Sequence, residues 1–236
     1  DYEKYKGMDT VILDKHAADT IKEDCRSFQC QLENHCAHVI MLMEQGIITK
    51  EEAKKILGAL LRLPDIGPEN IPFKPGLTDL YSNIEEWLIE RLGIEIGGKV
   101  HTGRSRNDMN SSIERVFTRR PMLDVLEAMI LLMKTLLNMA EEHKETVIPG
   151  YTHHSQQAQP VTLGHFYTST FQAFSRDAER LLEAYKRVNL STMGGAAIAT
   201  TGFPISRERT AELLGFDGYL LNSMDATATL DFAYEP

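Results

Sequence analysis

The 236-residue chain has no apolar run near the ~18–20 residues that a membrane-spanning helix requires, which excludes a transmembrane span. It is poor in cysteine. Cys25, Cys30 and Cys36 all fall within one helix-like stretch, and an odd number so placed fits free thiols in a reducing cytoplasm rather than a disulfide framework. His35 and His38 do not complete a zinc site with Cys36, because no second Cys/His pair at finger-like spacing follows. Basic side chains are outnumbered, 25 against 34 acidic, and the net charge of −9 excludes a nucleic-acid binder that works through a broad basic face. A few clustered arginines still allow an acidic substrate. Internal repeats and low-complexity linkers are absent. The first residues, Asp1-Tyr2-Glu3-Lys4-Tyr5, show no secretory signal, so a cytoplasmic protein is expected. What is present is an ordinary globular composition, 42% hydrophobic and 25% charged, which excludes disorder.

The hydrophobic spacing is helical almost throughout. Between Ala17 and Gln45 there is neither Pro nor Gly, and Ile21, Phe28, Leu32, Cys36, Val39 and Met43 recur at three-to-four-residue intervals. Gly46 reads as a helix stop, and Thr49 with Glu52 as a capping box opening a helix through Leu63. Pro64–Gly76 holds four prolines and two glycines and reads as a loop, before a helix over Leu80–Leu92. Gly93–Asp108 is glycine-rich and polar. Two long patterns follow. Met122, Leu126, Met129, Ile130, Met133, Leu137 and Ala140 form one stripe, with Leu123, Leu131 and Leu132 off it. Pro121 is expected to kink or start that helix. The second pattern, Leu163–Leu190, carries Phe166, Phe174, Leu181, Leu182, Tyr185 and Val188. Strand-like alternation is scarce. The expectation is an all-α fold with an N-terminal helical domain over 1–100 and the first part of a long helix bundle over 101–236. Long helices that are apolar on two sides cannot satisfy themselves alone, so oligomerisation is expected.

Three polar or small-residue stretches can carry chemistry. Gly93–Lys99 looks like the start of a phosphate loop, but Val100 stands where Ser or Thr would bind magnesium and no strand precedes it, so nucleotide binding is rejected. His101-Thr102-Gly103-Arg104-Ser105-Arg106-Asn107-Asp108 packs two guanidinium groups, two hydroxyls and an amide directly before a long helix. Arginine forks and a helix N-terminus both favour carboxylates, and Asp108 or Asn107 is positioned to cap the helix. A solvated, capped loop is the alternative. Pro149–Pro160 places His153 and His154 beside Thr152 and several amides, among them Gln157, where histidine can orient a carboxylate or move a proton; a hydrogen-bonded turn is the alternative. Gly194–Pro204 is rich in small residues that allow close backbone approach to a ligand or a neighbouring helix.

In this order and at these separations the stretches resemble the argininosuccinate lyase family of the fumarase/aspartase superfamily. His101–Asp108 matches the family's HTGRSRND motif without a change; Pro149–His153 with Ala158-Gln159-Pro160 is similar to its PGYTH…AQP motif. Gly202–Ile205 and Asn222–Ala226 are similar to its GFPI and NSMDA segments, and Ala37–Leu42 with Glu44–Ile48 to its N-terminal helix. The resemblance implies a C–N lyase that takes a small dicarboxylate or amino-acid substrate, releases fumarate, and needs no metal and no cofactor. It implies that Asn107 and Thr152 bind substrate, with Ser105 and Arg106 around the fumarate portion and Arg104 and Gln157 adding donors. His153 is the implied catalytic histidine, paired with Thr152. It also implies a homotetramer in which three subunits build each site.

Several positions depart from the family pattern. Gln31, Asn34 and His35 stand where the family carries an aspartate and a Gly-Ser pair, Leu230 where it carries a charged donor, and Ala196 and Thr200 where it often has glycine. One extra residue lies between Tyr151 and Pro160. The family's later Gly-Ser-Ser-x-Met-Pro-x-Lys loop is not matched in 1–236, and its relatives are about twice as long. The expectation is therefore the N-terminal half of such an enzyme, inactive alone: a fragment, a split-gene half that works with a second polypeptide carrying the rest, or a degenerate paralogue. Two alternatives stay open: a C–N lyase acting on another N-substituted aspartate, and a non-catalytic half, structural or a partner for a separately encoded second half.

Overall fold

A computed structural model describes residues 22, 24–71, 74, 77 and 79–235. The helical expectation over 17–21 lies outside the described residues. In chain order the main elements are α1 (Phe28–Glu44), α2 (Lys50–Leu60), α3 (Leu80–Leu92), α4 (Arg106–Glu142), β1 (Val147–Ile148), β2 (Tyr151–Thr152), β3 (Gln156–Gln157), β4 (Val161–Thr162), α5 (Leu163–Val188), β5 (Leu190–Ser191), α6 (Arg207–Leu213), β6 (Gly218–Tyr219) and α7 (Ser223–Ala228). Among the described residues three two-stranded pairs accompany the helices: β1–β4 and β2–β3 are antiparallel, and β5–β6 is parallel. The fold is all-α in substance. Helical turns at Leu63–Ile66, Ile94–Gly97 and Gly98–His101 fill stretches that sequence reads as loop, because proline is tolerated in a helix's first turn and glycine allows tight packing.

The chain divides into two compact units. One comprises the described residues up to Phe117 together with Asn189–Leu230; the other is Thr118–Val188 with the described residues from Asp231 on. The division falls inside α4, so the motif at 101–108 belongs with the N-terminal helices.

The first unit has two apolar clusters. Leu32, Val39 and Leu42 of α1, Ile56 and Leu60 of α2, and Ile84, Trp87 and Leu88 of α3 make one. Cys30 and Ala37 of α1, Met109, Ile113 and Val116 of α4, and Met193 and Phe216 make the other. α1 thus contributes to both. A third stripe on it is polar and still buried: Gln31, Asn34, His35 and His38, at i, i+3, i+4 and i+7 spacing. Thr49 and Glu52 form the expected capping box, though α2 stops at Leu60. Gly97 is required by packing, since a Cβ there would lie 2.7 Å from the backbone of Ile89.

The second unit holds most of α4 and all of α5, running antiparallel. Gly164 sits against the Ala140 carbonyl, where a Cβ would be 2.6 Å away, and Met122 packs with Ala184, Val188 and Phe232. Pro121 lies within α4 rather than starting it, at a solvent-exposed position where the missing donor is tolerated. The buried face of α4 is Met122, Leu126, Leu136 and Ala140, with Met129 and Met133 partly covered. Ile130 and Leu137, which sequence places on this stripe, are 47% and 44% exposed: the 3.6-residue period carries them off it. Leu123, Val125, Leu131, Leu132, Phe166 and Leu182 are exposed as well.

Candidate active site

The first site element is the turn that opens α4. Ser105 precedes the helix and its Oγ accepts from Asn107 N at 3.3 Å, while its own N–H donates to Asp108 Oδ1 at 2.9 Å. This reciprocal arrangement is a variant of the capping box: the Ser105 hydroxyl takes the second helical N–H, and Asp108 in the third helical position takes the N–H of Ser105. Ser105 is therefore the cap, rather than Asp108 or Asn107, because the Asp108 carboxylate turns inward. Its Oδ2 accepts from Gly194 N at 2.8 Å and Ala196 N at 2.9 Å, and Thr192 Oγ1 donates to the Asp108 carbonyl at 2.7 Å. Asp108 is fully buried, and burial pushes its carboxyl above the ordinary range despite three backbone donors that favour the charged form.

Fixing Asp108 fixes its neighbours. Asn107 is exposed and donates from Nδ2 to Ala197 O at 3.2 Å, on the same small-residue loop. Arg106 is half-exposed and its Nη2 pairs with Asp79, whose other oxygen accepts from Ser82 N at 2.8 Å to cap α3. Ser105, Arg106 and Asn107 thus stand together at a helix N-terminus, where N–H groups and the helix dipole favour an anion.

Arg104 is placed differently. It is 6% exposed, and its Nη2 donates to His35 Nδ1 at 2.7 Å. The guanidinium lies 5.7 Å from the Tyr81 ring, which stacks on His35 at 5.5 Å, and the Tyr81 hydroxyl meets His101 Nδ1. Because arginine only donates, His35 Nδ1 accepts and its proton is on Nε2, leaving the ring neutral. His38 Nε2 donates to the Thr102 carbonyl at 2.9 Å. Burial, then Arg104, hold His35 and His38 well below the ordinary histidine value, and the same two causes bring His101 down to about 4. Arg104 therefore lies beneath the turn, among the polar stripe of α1. Its burial is not readable from the motif, but Gln31, Asn34, His35 and His38 at helical spacing along α1 are a signal for a buried polar partner. Among the described residues no group of His, Cys, Asp and Glu is arranged to hold a metal.

The other sequence-derived residues belong to the second unit. Tyr151 and Thr152 pair with Gln157 and Gln156, and His153, His154 and Ser155 make the reversal. All three have positive φ, 41°, 57° and 68°. Thr152 Oγ1 and His153 Nδ1 are 2.9 Å apart, and the whole segment, Gln157 included, is exposed.

A family model described as Lyase matches residues 17–235. The chain belongs to this lyase family. It is 49% identical over 212 residues to an argininosuccinate lyase of Methanocaldococcus jannaschii and 43% identical over 218 residues to one of Methanosarcina acetivorans. These alignments cover 90% and 92% of this lyase-family chain and 44% of each relative, so it spans under half the length of the curated relatives it matches. Among solved structures, EDDS lyase in complex with formate superposes with a TM-score of 0.81 at 36% identity, covering 89% of this chain and 41% of that one. An EDDS lyase variant with bound fumarate gives the same values. The lyase-family chain therefore has the fumarase/aspartase-type all-α fold.

Proposed function

We propose that this chain supplies part of the active site of a C–N lyase that cleaves argininosuccinate to arginine and fumarate. The observation that carries the reading is the Asp108-anchored turn, which presents Ser105, Arg106 and Asn107 at the start of α4 in a chain 49% identical to an argininosuccinate lyase. The elimination removes a proton beside one carboxylate of the succinyl group. The C–N electron pair leaves with the amine, and the intermediate carbanion places extra negative charge on that carboxylate. Preorganised donors stabilise such charge, and this is the part assigned to Ser105, Arg106 and Asn107. Thr152 binds substrate, Gln157 adds an amide beside it, and His153 orients the substrate or takes part in proton transfer. Arg104 supports the turn from below. No step needs a metal or an organic cofactor.

The exposed Leu123, Val125, Ile130, Leu131 and Leu137 of α4, with Phe166 and Leu182 of α5, support assembly in a homotetramer or with a second polypeptide carrying the rest of the enzyme. A second reading, in which the substrate is another N-substituted aspartate, is favoured by the likeness to a lyase named for a different substrate.

The test is a chimera in which this chain replaces the matching N-terminal part of the Methanocaldococcus jannaschii relative. Fumarate release from argininosuccinate is expected from the chimera and not from the 236-residue chain alone. A His153→Ala chimera should be slower by about 10²–10⁴-fold with its fold intact. A chimera that assembles but does not turn over argininosuccinate defeats the reading. Turnover of a different N-substituted aspartate would move it to the second one.

A further inference from the structure

We propose that Asp108 is a positioning residue that joins the Ser105–Asn107 turn and the Gly194–Ala197 loop into one donor-bearing surface for a substrate carboxylate. This inference rests on the carboxylate-binding role proposed for the turn. Asp108 is separated by 86 residues or more from the loop amides it binds. One oxygen closes the capping box on Ser105 N, and the other takes the N–H groups of Gly194 and Ala196. Ala196 is held at φ 53°, a left-handed conformation that a residue with a Cβ adopts at a cost unless something fixes it. The next residue, Ala197, supplies the carbonyl that accepts from Asn107 Nδ2. The route from Asp108 to Asn107 is thus closed in two directions, directly along the helix and across through the loop. A buried carboxylate with three backbone donors is a rigid joint, because each donor left without it would be an unpartnered buried group.

The joint determines where the Asn107 amide lies relative to Ser105 Oγ. Asn107 keeps a second Nδ2 hydrogen and its Oδ1 for a ligand while the first hydrogen registers it against the loop. Asp108 itself is fully buried and acts only through its neighbours.

The experiment uses the full chain and fumarate as the probe. Side-chain amide resonances of Asn107 are followed during a fumarate titration, and backbone hydrogen exchange is measured at Gly194–Ala197 with α3 as internal reference. Asp108→Ala removes both acceptor oxygens, so the N–H groups of Gly194, Ala196 and Ser105 all lose their partner. Exchange at 194–197 should rise about tenfold relative to α3, and the Asn107 response to fumarate should be lost. Ala196→Gly, which keeps the N–H and the left-handed backbone, should behave like the parent. If Asp108→Ala does not fold, Thr192→Val decides. It removes only the hydroxyl that donates to the Asp108 carbonyl and should loosen the loop and weaken the fumarate response to a smaller degree. Unchanged exchange, or loosened exchange with an unchanged fumarate response, overturns the positioning role. A parent chain with no fumarate response overturns the carboxylate reading and this inference with it, whatever the exchange shows.

Discussion

The two segments that carry the candidate site residues are built in opposite ways. Ser105–Asn107 rests on buried polar structure: the Asp108 carboxylate with three backbone donors, Arg104 against His35 and Tyr81, and Ser112 bonded to Asn34. Thr152–Gln157 is exposed on every residue, turns through three left-handed positions, and joins two of its own side chains by the hydrogen bond between Thr152 Oγ1 and His153 Nδ1. The difference teaches where preorganisation comes from. The turn at the head of α4 is shaped by its own unit, so its donors stand ready before any ligand arrives. The hairpin's geometry depends on backbone pairing alone, and a hydrogen-bonded pair of two-residue strands is marginal by itself.

The comparison is broken most severely by acid. His35 and His38 are neutral in the fold and held well below their unfolded value of about 6.5. A depressed histidine stabilises the fold above the unfolded pKa, and that stability is lost as pH falls from 6.5 towards the folded value, because the unfolded chain binds the protons first. Two fully buried histidines give a slope of about 2.7 kcal/mol per pH unit. His101, brought down to about 4 but only partly buried, adds to it. The first unit should therefore melt at steadily lower temperature below pH 6.5, followed by circular dichroism. His38→Gln, which keeps an N–H for the Thr102 carbonyl, should reduce the slope by one proton. A melting temperature flat between pH 7 and pH 5 would mean that the histidines are not held as described.

A smaller effect tests the same wiring at one bond. Ser112 Oγ donates to Asn34 Oδ1 at 2.6 Å, with both residues fully buried, and Asn34 Nδ2 donates to Cys30 O at 2.9 Å. Ser112→Ala leaves the Asn34 oxygen without its partner and should cost about 1–3 kcal/mol in urea denaturation. Thr152→Ala, in the exposed hairpin, should change stability by less than about 0.5 kcal/mol. Equal costs at the two sites would erase the distinction between a buried and an exposed site segment.

The contrast also explains what could be read from sequence. The helices were legible because a 3.6-residue apolar period reports burial directly, and Thr49 with Glu52 marks a helix start by local chemistry. The α4 stripe was legible only in part. Ile130 and Leu137 are as apolar as their neighbours, but the 3.6-residue period sets them to the side of the stripe that α5 covers. At the site, Ser105, Arg106 and Asn107 were legible as a cluster of donors before a long helix. The inward turn of Asp108 was not, since its loop partners are 86 and 88 residues away and local pattern carries no such distance. The burial of Arg104 is not legible for the same reason: it follows from His35 and Tyr81, which only the packing of α1 with α3 brings beneath it.

The smallest expected effect probes the hairpin itself. His154 has φ 57°, between His153 at 41° and Ser155 at 68°, and an L-residue with a Cβ is disfavoured there while glycine is not. His154→Gly removes that cost, roughly 1 kcal/mol, but also gives the unfolded chain more freedom, worth about 0.4–1 kcal/mol in the opposite sense. The net should be a gain of at most about 0.5 kcal/mol, read as the urea midpoint of the second unit. Ala196→Gly, at φ 53° in the first unit, faces the same two terms, so backbone relief alone predicts similar shifts for both. A clear loss at His154→Gly with a gain at Ala196→Gly would show that the His154 side chain holds the reversal in place. The hairpin would then be a shaped element like the Asp108 turn, and His153 would be oriented by its neighbour rather than by strand pairing alone.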